Sequence, residues 1–334
     1  MEIFLKASLG LLPVLAFLIV LIILDSFKLV RTKFILGAIS AGAACALIGL
    51  FLNPLILKVL AIDLLSFARY VAPAVEEFLK IILIVYLIRT HRVGFLVDSA
   101  IAGFAVGAGF ALVENVYYLQ SLQDSDIFLW IVRGFGTAAM HGGTTAMAAM
   151  IGKYLSDRHD KLSLTILPGL LAASIIHSMY NHFFLPPLIS TALLLLLQPL
   201  ILVLIFMRSE KATENWLGEG LDADLKIYEA ITRGKILETR IGKYLESLND
   251  HFSYNVVADM FEYIKIHLEL SMQAKGILLA RRLGVETEPD PQVKEMFEQL
   301  KVLEKRIGPT GRLAIKPFVR KSSRDLWEIH MLSR

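Results

Sequence analysis

The chain has 334 residues, 55% of them hydrophobic, and a mean hydropathy of +0.60, which excludes one ordinary soluble domain and indicates an integral membrane protein. Its net charge of +3 gives no basic surplus for nucleic-acid binding, and a single cysteine, Cys45, excludes an intramolecular disulfide or a cysteine metal cluster. Apolar residues dominate as far as Met207 and charged residues thereafter, so an all-α membrane domain over 1–208 and a helical cytoplasmic domain over 209–334 are expected.

Apolar segments near the roughly 20 residues needed to cross hydrocarbon fall at 8–27, 34–60, 64–88, 95–119, 127–152, 162–184 and 188–207, predicting a polytopic bundle of about seven spans. The first is read as a membrane helix rather than a leader, because its basic residues Lys28, Arg31 and Lys33 follow the apolar run and no small-residue cleavage site is evident. Lys and Arg recur after alternate spans, at Arg89/Arg92, Lys153/Arg158/Lys161 and Arg208/Lys211. The turns at Asp124–Asp126 and Phe183–Pro187 lack them, although Lys58 and Arg69 weaken the contrast. That asymmetry predicts an outside N-terminus and a cytoplasmic C-terminus.

Within these apolar runs sit side chains that lipid disfavours, each charge costing about 3 kcal/mol at mid-bilayer on insertion scales. Glu76 and Glu77 both lie within helical reach of Lys80, so the ammonium can neutralise one acid while the other looks elsewhere. A lone Glu–Lys pair is as readily a packing device as a catalyst, but two adjacent acids suit a general base acting on water. Phe110 and Glu114 share a helix face, with Asn115 beside them. Alone, Glu114 reads as an interfacial acid near the aromatic belt of Tyr117 and Tyr118. His141 is followed by Gly-Gly-Thr-Thr, and His177 and Asn181 are spaced i,i+4. A rise of 1.5 Å per residue places Glu76, Glu77, His141 and His177 near the midplane and Glu114 and Asn181 toward the outer side. Gly103, Gly107, Gly109, Gly136, Gly142 and Gly143 allow helices four and five to approach closely.

Two histidines with one or two carboxylates suffice for a catalytic zinc, with His141, His177 and Glu114 as candidate ligands. The His-Glu-x-x-His helix, the Gly-x-Ser-x-Gly elbow and the paired motifs of aspartyl intramembrane proteases are all absent from the sequence. In the tail, helical periodicity runs through Leu221–Leu248 and Tyr254–Leu283, with Gly284 as a stop and Asp290-Pro291 opening a third helix toward Arg306.

Taken in order, Glu76-Glu77-Phe-Leu-Lys80, Phe110-x-x-x-Glu114, His141 and His177-x-x-x-Asn181 resemble the PrsW family of intramembrane proteases, relatives of the type II CAAX prenyl proteases. The resemblance covers roughly residues 60–190 and none of the tail. It implies a polytopic endopeptidase of the bacterial cytoplasmic membrane that cleaves a membrane-anchored protein, in a family associated with anti-sigma factors and hence with signalling by regulated proteolysis. It implies an essential acidic pair, Glu76 and Glu77, with Glu114, His141 and His177 as further polar members and Asn181 in support. A metal-bound and a glutamate-activated water are both compatible with it. Lys80 and Glu114 depart from the Arg and His usual in the CAAX enzymes, which argues against prenylated substrates.

The alternative is an ion- or proton-coupled transporter, which midplane acids also suit, although no inverted repeat is visible. A non-catalytic scaffold would explain the tail and leave the buried acids without purpose. The tail itself offers a surface for a cytoplasmic partner, and Arg312, Lys316, Arg320, Lys321 and Arg324 a contact with anionic headgroups of the bilayer.

Overall fold

A computed structural model describes residues 2–122, 125–159, 161–285, 287, 290–319 and 323–332; Asp124, Arg320 and Lys321 lie outside them. Every regular element among the described residues is helical. The chain divides into two compact units, Met1–Glu210 and Lys211–Arg334.

The first unit contains α1 (Glu2–Ile23), α2 (Thr32–Leu60), a short turn α3 (Leu64–Ser66), α4 (Ala72–Arg89), α5 (Leu96–Ser121), a second short turn α6 (Ile127–Ile131), α7 (Ala138–Ser156) and α8 (Leu162–His182). A π-helical turn, Phe67–Val71, leads into α4, and another, Val132–Thr137, leads into α7. The last helix of this unit, α9 (Pro187–Thr232), does not stop where the composition changes, so the boundary between the units falls within it.

Among the described residues, five helices are long and apolar enough to cross a membrane: α1, α2, α5, α8 from Leu164, and α9. The other two expected segments are helical but fall short of that measure. Three charges, Glu76, Glu77 and Lys80, interrupt α4, and α7 is diluted by Gly, Thr and His141. What lowers their hydropathy is the same set of residues that builds the site.

α5 is the central helix, buried without a break from Val97 to Ala111 and packed between α2 and α7. Small residues make this possible, since without a hydrophobic drive in lipid helices associate through close van der Waals fit. A Cβ on Gly107 would collide with the His141 carbonyl, and one on Gly109 with the Ile39 carbonyl. Because Gly107 presses on the backbone of His141, Gly107→Val should separate α5 from α7. The expected loss is about 1–3 kcal/mol or more. A lowered thermal midpoint in detergent, compared with Ala108→Gly, checks it; an unchanged midpoint would remove Gly107 from the packing account.

The second unit holds the rest of α9, then α10 (Arg240–Ser247), α11 (Tyr254–Arg282), α12 (Gln292–Val319) and α13 (Ser323–Leu332). Glycines of positive φ break the chain: Gly284 follows α11 as expected, Gly308 kinks α12 just past Arg306, and Gly234, not among the expected stops, follows the end of α9. The periodic run Leu221–Leu248 is therefore two helices rather than one. Asp290 caps α12, its Oδ1 accepting from the Gln292 amide at 2.8 Å. α11 packs against both α12 and α13.

Candidate active site

α4 acquires its setting from Pro73. Proline has no N–H, so the Arg69 carbonyl one turn earlier is left without its helical donor. Ser178 on α8 supplies one, its Oγ donating to Arg69 O at 2.6 Å, and Asn181 Nδ2 donates to Ala68 O at 2.9 Å. Two carbonyls of the π turn are thus held by α8, through residues one and four positions beyond His177.

Glu77 and Lys80 then form a buried pair at 2.6 Å, with side-chain exposures of 2% and 0%. The same Glu77 Oε1 faces His177 Nδ1 at 2.9 Å and accepts from Thr144 Oγ1 at 3.3 Å. Glu76 faces another way: its Oε1 accepts from Asn53 Nδ2 at 3.0 Å, and its Oε2 lies 3.9 Å from His177 Nε2. One acid is therefore saturated with donors and the other is lightly held.

His141 lies between opposite charges. Its Nδ1 is 3.1 Å from the Lys80 ammonium and its Nε2 3.2 Å from Glu114 Oε2. An ammonium only donates, so Nδ1 accepts and Nε2–H points to the carboxylate. A carboxylate only accepts, so His177 turns Nδ1–H to Glu77, while its Nε2 stands 3.9 Å from Glu76 Oε2, beyond hydrogen-bond reach. Each imidazole is thus oriented by its own carboxylate, the support usual behind metal-ligating histidines. The two rings meet edge to face at 4.7 Å, and Phe110 packs on His141 at 5.0 Å, as its shared face with Glu114 leads one to expect.

Glu114 is bound into the cluster from the side by Arg133 on the second π turn, whose Nη2 lies 3.2 Å away. Arg133 Nε donates to Asn115 Oδ1 at 2.9 Å, Asn115 Nδ2 donates to Gly10 O at 2.7 Å, and the guanidinium lies 3.8 Å above the Tyr118 ring. An acid that reads alone as interfacial is here anchored inward by a cation.

The structure thus brings Glu76, Glu77, Glu114, His141 and His177 together from four helices, while Asn181 binds the backbone ahead of α4. Sequence reading passed over three contributors. Arg133 meets the same test as the others, a charge within an apolar segment, and was findable. Asn53 and Thr144 are uncharged polar residues in apolar helices and gave no comparable signal.

Among the described residues, Glu76, His141 and His177 each offer a ligating atom within 4.8 Å of the other two, and all three are buried. One carboxylate with two imidazoles is a donor set of catalytic zinc, so these residues fit a divalent metal. Glu76 takes the place in this trio that Glu114 holds in the sequence-based set.

A helical membrane protein with such a buried carboxylate–imidazole cluster has the makings of a hydrolase working inside the bilayer. A family model for the PrsW family intramembrane metalloproteases matches residues 25–208. The chain belongs to that family and is a peptidase. No curated protein and no solved structure matched the chain.

Proposed function

We propose that the protein hydrolyses a peptide bond of a membrane-anchored protein substrate, with Glu76, His141 and His177 holding a zinc ion. The observation that carries this is the convergence of those three ligating atoms from three helices within 4.8 Å. Bound there, zinc would polarise the scissile carbonyl and ease deprotonation of water. Since both His141 nitrogens face partners, ligation by this imidazole requires it to release one of them. Glu77 and Glu114 keep the two imidazoles in their tautomers. Lys80 and Arg133 balance the buried carboxylates, and Asn181 positions the start of α4. Should the water be activated by a glutamate alone, Glu76 is the acid for it, because Glu77 already takes three donors and is a poorer base.

The reading extends to seven crossings, with the N-terminus outside and the C-terminal domain cytoplasmic in a bacterial inner membrane. The protease-like part occupies 1–208 and the helical part 209–334. The latter recruits a partner or touches anionic headgroups, in keeping with regulated proteolysis. Family membership and the paired imidazoles favour this over an ion-coupled carrier.

The test is cleavage of a single-span substrate by the purified full-length protein, with metal content measured on the same sample. Wild type should carry about one zinc and lose cleavage on chelation, regaining it when zinc returns. His177→Ala should lose both metal and cleavage. Activity that survives both chelation and His177→Ala rejects the site.

A further inference from the structure

The second unit contains a cavity of about 280 Å³ that the proteolytic reading does not use, with Trp216, Asp224, Ser271, Lys275, Phe318 and Glu328 in its wall. That volume is at the lower edge of small-molecule pockets and equals the space of about nine waters. Its polar groups form one network. Lys275, 4% exposed, donates to Asp224 Oδ2 at 2.7 Å, to Ser271 Oγ, and to Glu328 Oε1 at 3.4 Å. The Ser271 hydroxyl lies 2.9 Å from Asp224 Oδ2 and 2.7 Å from Glu328 Oε1, and has one hydrogen for the two.

Counting donors exposes an imbalance. An ammonium has three N–H groups, and all three of Lys275 are engaged. Among the hydrogen bonds of the described residues, Asp224 and Glu328 share the one positive charge of Lys275, so one carboxylate is uncompensated within this network when both are ionised. Glu328 is 2% exposed, and its Oε2 accepts no hydrogen bond among the described residues. It lies 3.4 Å from the Lys275 nitrogen, whose hydrogens are directed elsewhere. A buried carboxylate oxygen in this state is costly unless a proton or a donor reaches it. Trp216 and Phe318 line the same cavity as Glu328, and Asp224, with its side chain 17% exposed, marks the more open edge.

We propose that this cavity is a binding site for a small organic monocation bearing N–H donors on a flat or apolar body, an amidine, guanidine or amine, held by Glu328 Oε2 and Asp224 and covered by Trp216. The positive charge matches the uncompensated carboxylate, the N–H groups supply the missing donors, and the body takes the aromatic walls. Its occupation joins α9, α11, α12 and α13, the four helices that supply the wall, and so couples a soluble cation to the tail of the protease.

Burial pushes the Glu328 carboxyl up to about 7, with Lys275 partly opposing it. Other titratable groups lining the cavity are Asp224 on α9, His267 and Lys275 on α11, and Asp325 on α13. A carboxyl raised in the folded state loses stability for the fold as pH rises from its ordinary 4.5 through about 7. A cation that binds the ionised form should therefore bind more tightly above about pH 7 than below it.

Full-length protein in detergent should be titrated calorimetrically with benzamidine, a flat monocation, and with benzamide, its neutral counterpart. Saturable 1:1 binding of benzamidine is expected, at least about tenfold tighter than benzamide and strengthening through neutral pH. Glu328→Gln should weaken benzamidine by about tenfold or more and remove the pH step while leaving the fold intact, since Gln keeps the volume. If Glu328→Gln lowers helicity, Asp224→Asn at the open edge carries the same comparison. Equal binding of the two probes, absence of saturable binding, or unaltered binding in folded Glu328→Gln or Asp224→Asn overturns the proposal and leaves a proton as the partner of Glu328.

Discussion

Glu76→Gln should lower kcat for cleavage of a membrane-anchored substrate by roughly 10²–10⁴, the range over which a positioned acid–base group contributes. The amide has almost the shape of the acid, and its oxygen can still accept from Asn53 Nδ2, so the fold should survive the change. Two chemical roles for Glu76 then separate on one further measurement. If it is a ligand beside His141 and His177, zinc content falls together with kcat. If it is a general base without metal, kcat falls in protein that contained no zinc to begin with. Activity close to wild type would eliminate Glu76 from both roles, and the trio within 4.8 Å would be only a packing feature.

Lys80→Met should destabilise the protein by about 3–5 kcal/mol, because it leaves the Glu77 carboxylate charged and buried without its cation. Methionine keeps most of the volume, so lost packing contributes little. The double variant Lys80→Met with Glu77→Gln removes both charges and should recover much of the thermal midpoint, since a missing pair is tolerated better than half a pair. Activity should not recover with it. Glu77 orients His177 through Nδ1, and an amide oxygen is a weaker partner for that N–H. Equal stability of the single and double variants would show that Glu77 is not held by Lys80 in the way the 2.6 Å contact implies.

Glu77 and Glu76 differ in ways that no spacing rule resolves. Both are within one helical turn of Lys80, so the sequence left open which of them the ammonium would neutralise. The rotation of α4 against α8 decides it by turning Glu77 toward His177 Nδ1 and Glu76 toward Asn53. Pro73 is visible in the chain, but its consequence, a carbonyl captured by Ser178 on a helix a hundred residues away, depends on the packing. Glu114 is similar: counting residues along α5 gives its height but not its partners, and the structure sets it against Arg133 and His141.

By itself, the sequence determined that the chain is helical, that it enters a membrane, and that Glu76, Glu77, Lys80, Glu114, His141 and His177 require an explanation. The reason is energetic and local: a charge or imidazole within an apolar run carries a desolvation cost that can be read without knowing its neighbours. Only the tertiary structure decided who pairs with whom, and so which carboxylates orient imidazoles and which one is left to complete the ligating trio with them. Partnership depends on distances of a few ångströms between helices far apart in sequence, and close packing at Gly107 and Gly109 fixes those distances.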